Sequence, residues 1–141
     1  MRKFLIMLFG AALALTVPAV ANEAPMDIKG AKTLNADGVI ALIQKTSNID
    51  ALPIFNRSAA DYEAGHIEGA VRLIDTDIAD EAVLARHVKA KNAPILFYCN
   101  GLKCGRAAKA TEKAVGWGYT NVHYYALGLE EWKQRKLPLV R

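Results

Sequence analysis

The sequence predicts an α/β domain built on a largely parallel sheet, and three observations predict it. Four short runs rich in strand formers recur along the chain, over residues 52–55, 70–74, 95–98 and 121–125. Segments with helical spacing, about ten residues long, lie between them, the alternation expected of parallel strands joined by helical crossovers. The third run, Ile95-Leu-Phe-Tyr98, is apolar throughout, with the length and composition of a buried strand.

Each element follows from local signals. Residues 22–32 are small and polar and read as a loosely held lead-in segment. Asp37 is placed to cap a helix through about Lys45, with Val39, Leu42 and Ile43 at three-to-four spacing. Residues 58–64 read as a helical turn ended by Gly65, and Asp80 caps a helix running to about Val88. After the third strand comes a glycine-bearing loop over residues 99–105. A helix over 106–115 follows, with Ala107, Ala110 and Ala114 on one face and Gly116 and Gly118 to end it. A last helix over 129–135 precedes Pro138. There is no repeat, low-complexity tract or linker, so residues 33–141 read as a single domain.

The first 21 residues have the pattern of an export signal. Arg2 and Lys3 precede an apolar stretch over 4–17, Pro18 breaks it, and Ala19-Val20-Ala21 supplies a small-x-small cleavage site. The apolar run falls short of the roughly 18–20 residues of a membrane span. No cysteine stands near the site, so it is not a lipoprotein signal. A signal peptide over 1–21, cut after Ala21, implies a periplasmic or secreted protein with no membrane attachment once it is removed. The formal charge of +4 then falls to about +2 through loss of Arg2 and Lys3. The remaining basic residues are scattered, which argues against a nucleic-acid partner.

Both cysteines, Cys99 and Cys104, lie after the signal. A bridge between them closes so small a loop that it restricts the unfolded chain little. A reactive pair is therefore a better reading than a staple. Cys-x4-Cys with no histidine pair nearby supplies two ligands where zinc takes four, so no metal is expected. Cys99 stands at the carboxyl end of a strand, before a loop and a helix start. Ligands bind at that edge of open α/β sheets. Backbone N–H groups and the helix dipole there favour an anion, and such sites lower a cysteine pKa from about 8.5 to roughly 4–7. Gly101 and Gly105 permit a tight cradle, while Lys103 and Arg106 add positive charge. The bland alternative, a small buried hydrophobe at a strand end, stays open on these residues alone.

This strand, cysteine, loop and helix resemble the active-site segment of rhodanese-like domains. Arg57-Ser-Ala-Ala-Asp61-Tyr62-Glu-Ala-Gly65-His66-Ile67-Glu-Gly69-Ala70 is similar to the amino-terminal signature of that family. Gly128-Leu-Glu-Glu-Trp132 with Leu137-Pro138 is similar to its carboxyl-terminal one. The resemblance covers about residues 34–140. It implies a rhodanese-like α/β fold with a parallel five-stranded sheet flanked by helices on both faces. It also implies sulfurtransferase activity without a cofactor. Cys99 would take sulfane sulfur from a small anion such as thiosulfate. The persulfide would lie in a cradle formed by Asn100, Gly101, Leu102, Lys103, Cys104, Gly105 and Arg106, and a thiol or protein cysteine would accept the sulfur. A monomer is expected.

Three departures qualify the carry-over. Asn56 stands where Asp often precedes the arginine, and Leu127-Gly128 replaces a common Gly-Gly. The sixth loop position, often arginine in the family, is Cys104, leaving Lys103 or Arg106 to bind substrate. The same displacement argues against the related cysteine phosphatases, whose Cys-x5-Arg loop needs its arginine one place earlier than Arg106. Cys104 is a candidate resolving thiol or disulfide partner. Two rivals to sulfur transfer remain: a thiol–disulfide redox or sensing protein using both cysteines, and a non-catalytic module binding an anion or partner. His66 reads as a turn residue rather than a base; Trp132, Tyr119, Tyr124 and Tyr125 read as core or its rim.

Overall fold

The computed structural model describes residues 23–46, 54–56 and 58–141. The expected signal over 1–21 lies outside the described residues, as do residues 52 and 53 of the first expected strand run and Arg57 of the amino-terminal signature.

Five strands form one parallel sheet: β1 (Ala31–Thr33), β2 (Ile54–Asn56), β3 (Ala70–Arg72), β4 (Ile95–Tyr98) and β5 (Val122–Tyr125), in the order β1-β5-β4-β2-β3. The helices are α1 (Ala36–Thr46), α2 (Ala59–Ala64), α3 (Glu81–Ala85), α4 (Arg106–Gly116) and α5 (Gly128–Gln134). The central strand β4 explains the layering. Side chains alternate across a strand, and all four of its residues are at most 1% exposed. Ile95 and Phe97 join a core cluster with Leu84, Ala107, Ala110 and Ala114, which covers one face with α3 and α4. Leu96 and Tyr98 join Ala36, Val39, Leu129 and Trp132, which covers the other with α1 and α5. Burying both faces is what demands an unbroken apolar run, and each large side chain fully removed from water contributes about 1.5–3 kcal/mol.

The small alanine face of α4 packs against the sheet as the spacing predicts, with Ala107, Ala110 and Ala114 all buried. Asp80 caps α3 by accepting the Val83 N–H at 3.2 Å. The regular helix stops at Ala85 rather than near Val88, and beyond it the His87 and Val88 N–H groups share the Leu84 carbonyl. Tyr119, Tyr124, Tyr125 and Trp132 are buried as read.

Two expectations are corrected. The segment over 22–32 is not loosely held where it is described. Ala31 opens strand β1 against β5, Ile28 is buried, and the Tyr124 hydroxyl donates to the Pro25 carbonyl at 3.0 Å. The cap of α1 is Asn35, whose Oδ1 accepts the Gly38 N–H at 2.9 Å. Asp37 instead sits in the first turn and accepts from Nη2 of Arg135, the C-cap residue of α5, at 2.6 Å. The first N–H of α1, from Ala36, goes to Glu131 Oε2 of α5 at 3.0 Å. The start of α1 is thus bonded to α5.

One buried group makes stability depend on pH. His123 lies in β5 with 6% exposure, its Nδ1 3.2 Å from the Ile95 carbonyl. Burial first, and nearby Lys32 after it, hold its pKa below the ordinary 6.5, against bonding to the backbone that pulls the other way. The unfolded chain therefore binds the proton more readily than the folded one between these two values. The His123 contribution is fully present above pH 6.5 and is lost as pH falls toward the depressed folded value. Urea unfolding at pH 7.5 and 5.5 should show wild type losing more stability than His123→Gln over that interval; equal losses would contradict the assignment.

Candidate active site

The site grows from two neighbouring strands. β2 and β4 are adjacent and parallel, so the loops after them emerge at the same carboxyl edge. The loop after β4 runs from Cys99 to Gly105 and enters α4, whose first N–H groups have no acceptor within their own helix. The segment after β2 leads into α2. Together they line a hollow of about 320 Å³ formed by Ser58, Asp61, Cys99, Asn100, Lys103, Cys104, Gly105 and Arg106.

The loop is held from outside at three points. The Leu129 N–H donates to the Cys99 carbonyl at 3.0 Å and the Glu130 N–H to the Asn100 carbonyl at 2.8 Å. These are first-turn groups of α5, which lack partners in their own helix. The Ala24 N–H donates to the Leu102 carbonyl at 2.6 Å. Within the loop, the Cys104 N–H closes a turn on the Gly101 carbonyl at 3.0 Å. Three loop carbonyls are thereby drawn into bonds with flanking segments.

Gly128 makes this docking possible. Its φ is +54°, and a Cβ there would run into the Cys99 carbonyl oxygen. The carboxyl-terminal signature noted in the sequence is thus a close approach of backbone to backbone. Gly101 is buried against the same helix, where a Cβ would lie 2.7 Å from Glu130 Oε2.

Of the expected cradle, Cys99, Asn100, Lys103, Cys104, Gly105 and Arg106 face the hollow. Gly101 is packed beneath it, and the half-buried Leu102 packs against the core and lines a separate hollow with Leu127 and Glu130. Cys99 is 4% exposed and Cys104 half-buried, while Lys103 and Arg106 are exposed at the rim. The two cysteines are joined by a disulfide, with Cα atoms 6.2 Å apart.

Ser58 and Asp61 were not singled out for the site from sequence. The Ser58 hydroxyl donates to Asp61 Oδ2 at 2.7 Å, which fixes the far wall. The one available signal was their place inside the 57–70 signature.

The remaining signature residues support rather than face the hollow. His66 Nδ1 lies 2.8 Å from the Tyr62 carbonyl, its ring stacks on Tyr62 at 3.6 Å, and its backbone bridges to Val140. The Ile67 N–H donates to the buried Tyr98 hydroxyl at 3.0 Å, tying that stretch to the end of β4. Trp132 donates through Nε1 to the Pro138 carbonyl at 2.9 Å. A second hollow, lined by Ile40, Ile43, Trp132 and Leu137, is apolar and contains no cysteine.

Fold and site together define an α/β domain with a cysteine pair at the carboxyl edge of its central strand. Residues 28–135 match the Rhodanese-like domain, and the chain belongs to that family. The uncharacterized protein YibN of Escherichia coli K12 is 32% identical over 95 residues, 65% of this chain and 62% of YibN. The match thus spans less than two thirds of that relative's length.

Solved structures share the fold. The BH2092 protein of Bacillus halodurans superposes with a TM-score of 0.64 at 22% identity, covering 78% of this chain and 77% of its own. The polysulfide-sulfur transferase homodimer of Wolinella succinogenes gives 0.60 at 20% identity, covering 79% of each. The human single-domain sulfurtransferase TSTD1 gives 0.56 at 23% identity, covering 74% of this chain and 97% of its own.

Gly128→Ala tests the docking. A side chain forced into the left-handed region against backbone should destabilise the domain by about 2 kcal/mol, read as a lower denaturant midpoint. A loss under about 0.5 kcal/mol, the range of an ordinary surface change, would show that α5 does not set the loop this way.

Proposed function

We propose that this domain is a sulfurtransferase that carries sulfane sulfur on Cys99. The observation that supports this reading best is the placement of Cys99. It lines a polar hollow together with Lys103, Arg106 and Gly105, the N-cap residue of α4. An anion there gains from the helix terminus and both cations, and this applies both to the Cys99 thiolate and to an anionic donor. In the reduced protein the thiolate attacks the outer sulfur of a donor such as thiosulfate. The S–S bond of the donor breaks, sulfite leaves with its electron pair, and Cys99 becomes a persulfide. A thiol or protein cysteine then attacks the outer sulfur and regenerates the thiolate, a double displacement with ping-pong kinetics. Membership in the rhodanese-like family supports the same chemistry.

The disulfide favours a second reading, thiol–disulfide exchange through Cys99 and Cys104. Export by way of the leader over 1–21 would place the pair where disulfides persist. In either reading the bond must be opened before Cys99 can act.

Intact mass separates the two. Reduced protein treated with thiosulfate should release sulfite, and its Cys104→Ser variant should gain one sulfur, which cyanide removes and Cys99→Ser never acquires. A product that only loses two hydrogens, with no sulfur taken up and no sulfite released, would instead establish the exchange reading. The rim charges make a second prediction. Arg106→Gln should raise KM for thiosulfate by roughly tenfold, with a smaller effect from Lys103→Gln. An unchanged KM in both variants would remove these cations from substrate binding.

A further inference from the structure

We infer that Cys104 is a resolving thiol that releases the sulfur held on Cys99 as sulfide, after which a protein dithiol resets the pair by attacking Cys104. This deepens the sulfur-transfer reading and rests on Cys99 carrying the sulfur.

Reach is the first observation. The Cα atoms of the two cysteines are 6.2 Å apart, inside the ordinary span of disulfides, about 4.4–6.8 Å. The loop that sets this distance is held at the carbonyls of Cys99, Asn100 and Leu102 by segments outside it. Approach of the two sulfurs is therefore a property of the docked loop. A persulfide on Cys99 keeps Cys99 Sγ in place and adds one atom beyond it, so Cys104 faces a sulfur it is already positioned to bond.

The step balances. The Cys104 thiol attacks Cys99 Sγ, and a Cys99–Cys104 bond forms. The bond from Cys99 Sγ to the outer sulfur breaks, and its electron pair leaves with that sulfur as hydrosulfide, which takes the Cys104 proton. The outer sulfur is reduced by two electrons and the cysteine pair is oxidised by two. With thiosulfate as donor, the products of one passage are sulfite, sulfide and the disulfide that the structure holds.

Asymmetry of burial assigns the direction of the reset. Cys99 is 4% exposed and packed in the core cluster with Ala107 and Ala108, whereas Cys104 is half-buried between the exposed Lys103 and Gly105. An incoming thiolate meets the Cys104 sulfur. Cys99 is then the leaving thiolate, and it departs into the helix terminus that stabilises it; a better-stabilised leaving thiolate leaves faster. The mixed disulfide on Cys104 is resolved by the second thiol of the partner, which carries away both electrons' worth of oxidation as its own disulfide. A dithiol completes the reset in one encounter, and the small exposed residue Gly105, with nothing within 4 Å of an added Cβ, leaves room for its approach.

The test uses the full chain, reduced and freed of reductant, with thiosulfate as the only added sulfur compound. Wild type should release about one sulfide per chain and end as the disulfide, while Cys104→Ser and Cys104→Ala should release at least about tenfold less and keep the added sulfur. Wild type that keeps its persulfide, with sulfide no higher than in the variants, would overturn the resolving role while leaving sulfur transfer standing. Variants and wild type alike taking up no sulfur would overturn sulfur transfer itself and the proposal with it. For the reset, limiting glutathione added to the oxidised protein and trapped by alkylation should be found on Cys104, which trypsin parts from Cys99 at Lys103. Glutathione on Cys99 would overturn the assigned direction.

Discussion

Two N–H groups at the start of α5, those of Leu129 and Glu130, find their acceptors in the carbonyls of Cys99 and Asn100. Much of the site depends on this pair of bonds. They use donors that any helix start must place somewhere, and they hold the loop that follows the central strand. Gly128 allows the helix to come this close. The same helix reaches back through Glu131 to the first N–H of α1 and through Arg135 to Asp37. α5 therefore connects the packing of one sheet face to the conformation of the cysteine loop.

The parallel sheet supplies the rest. Because β2 and β4 are neighbours pointing the same way, residues far apart in the chain meet at one edge: Ser58 and Asp61 from the start of α2, Cys99, Asn100 and Lys103 to Arg106 from the loop after β4 and the first residue of α4. The hollow they form is polar and rimmed by two cations, suited to an anion and to a thiolate. Within it the two sulfurs differ in one respect that matters chemically. Both line the hollow, but Cys99 is buried within the core cluster while Cys104 is half-buried against its edge. In the proposed sulfur transfer, a carrier protected from solvent beside a thiol open to partners would give a single short loop both halves of a sulfur-releasing cycle.

What was legible in the sequence divides along the range of the forces involved. β4 and α4 were readable nearly to the residue, since burial on both faces imposes an all-apolar run and the alanine spacing of α4 reports one packed face. Gly65 and Asp80 marked helix boundaries because their capping is local. β1 left no signal: Ala31-Lys-Thr33 is a three-residue edge strand paired on one side only, with no alternation to detect. Asn35 and Asp37 both suit a cap, and only the position of the Gly38 N–H decides between them. In the site, the cysteines and their flanking cations were visible as one contiguous segment. The tie from Ala24 to Leu102, the wall from Ser58 and Asp61, and the reason for Gly128 are long-range contacts, which one sequence does not encode in any local pattern.

The proposed sulfur transfer requires the docked loop and the start of α4 to hold Cys99 as a reactive thiolate. Ultraviolet titration of the reduced Cys104→Ser protein, which leaves one thiol to observe, measures this directly. The thiolate absorbance should rise well below the ordinary cysteine midpoint of about 8.5. A midpoint at or above that value would contradict it, and would make Cys99 a buried residue of the core rather than the carrier of sulfur.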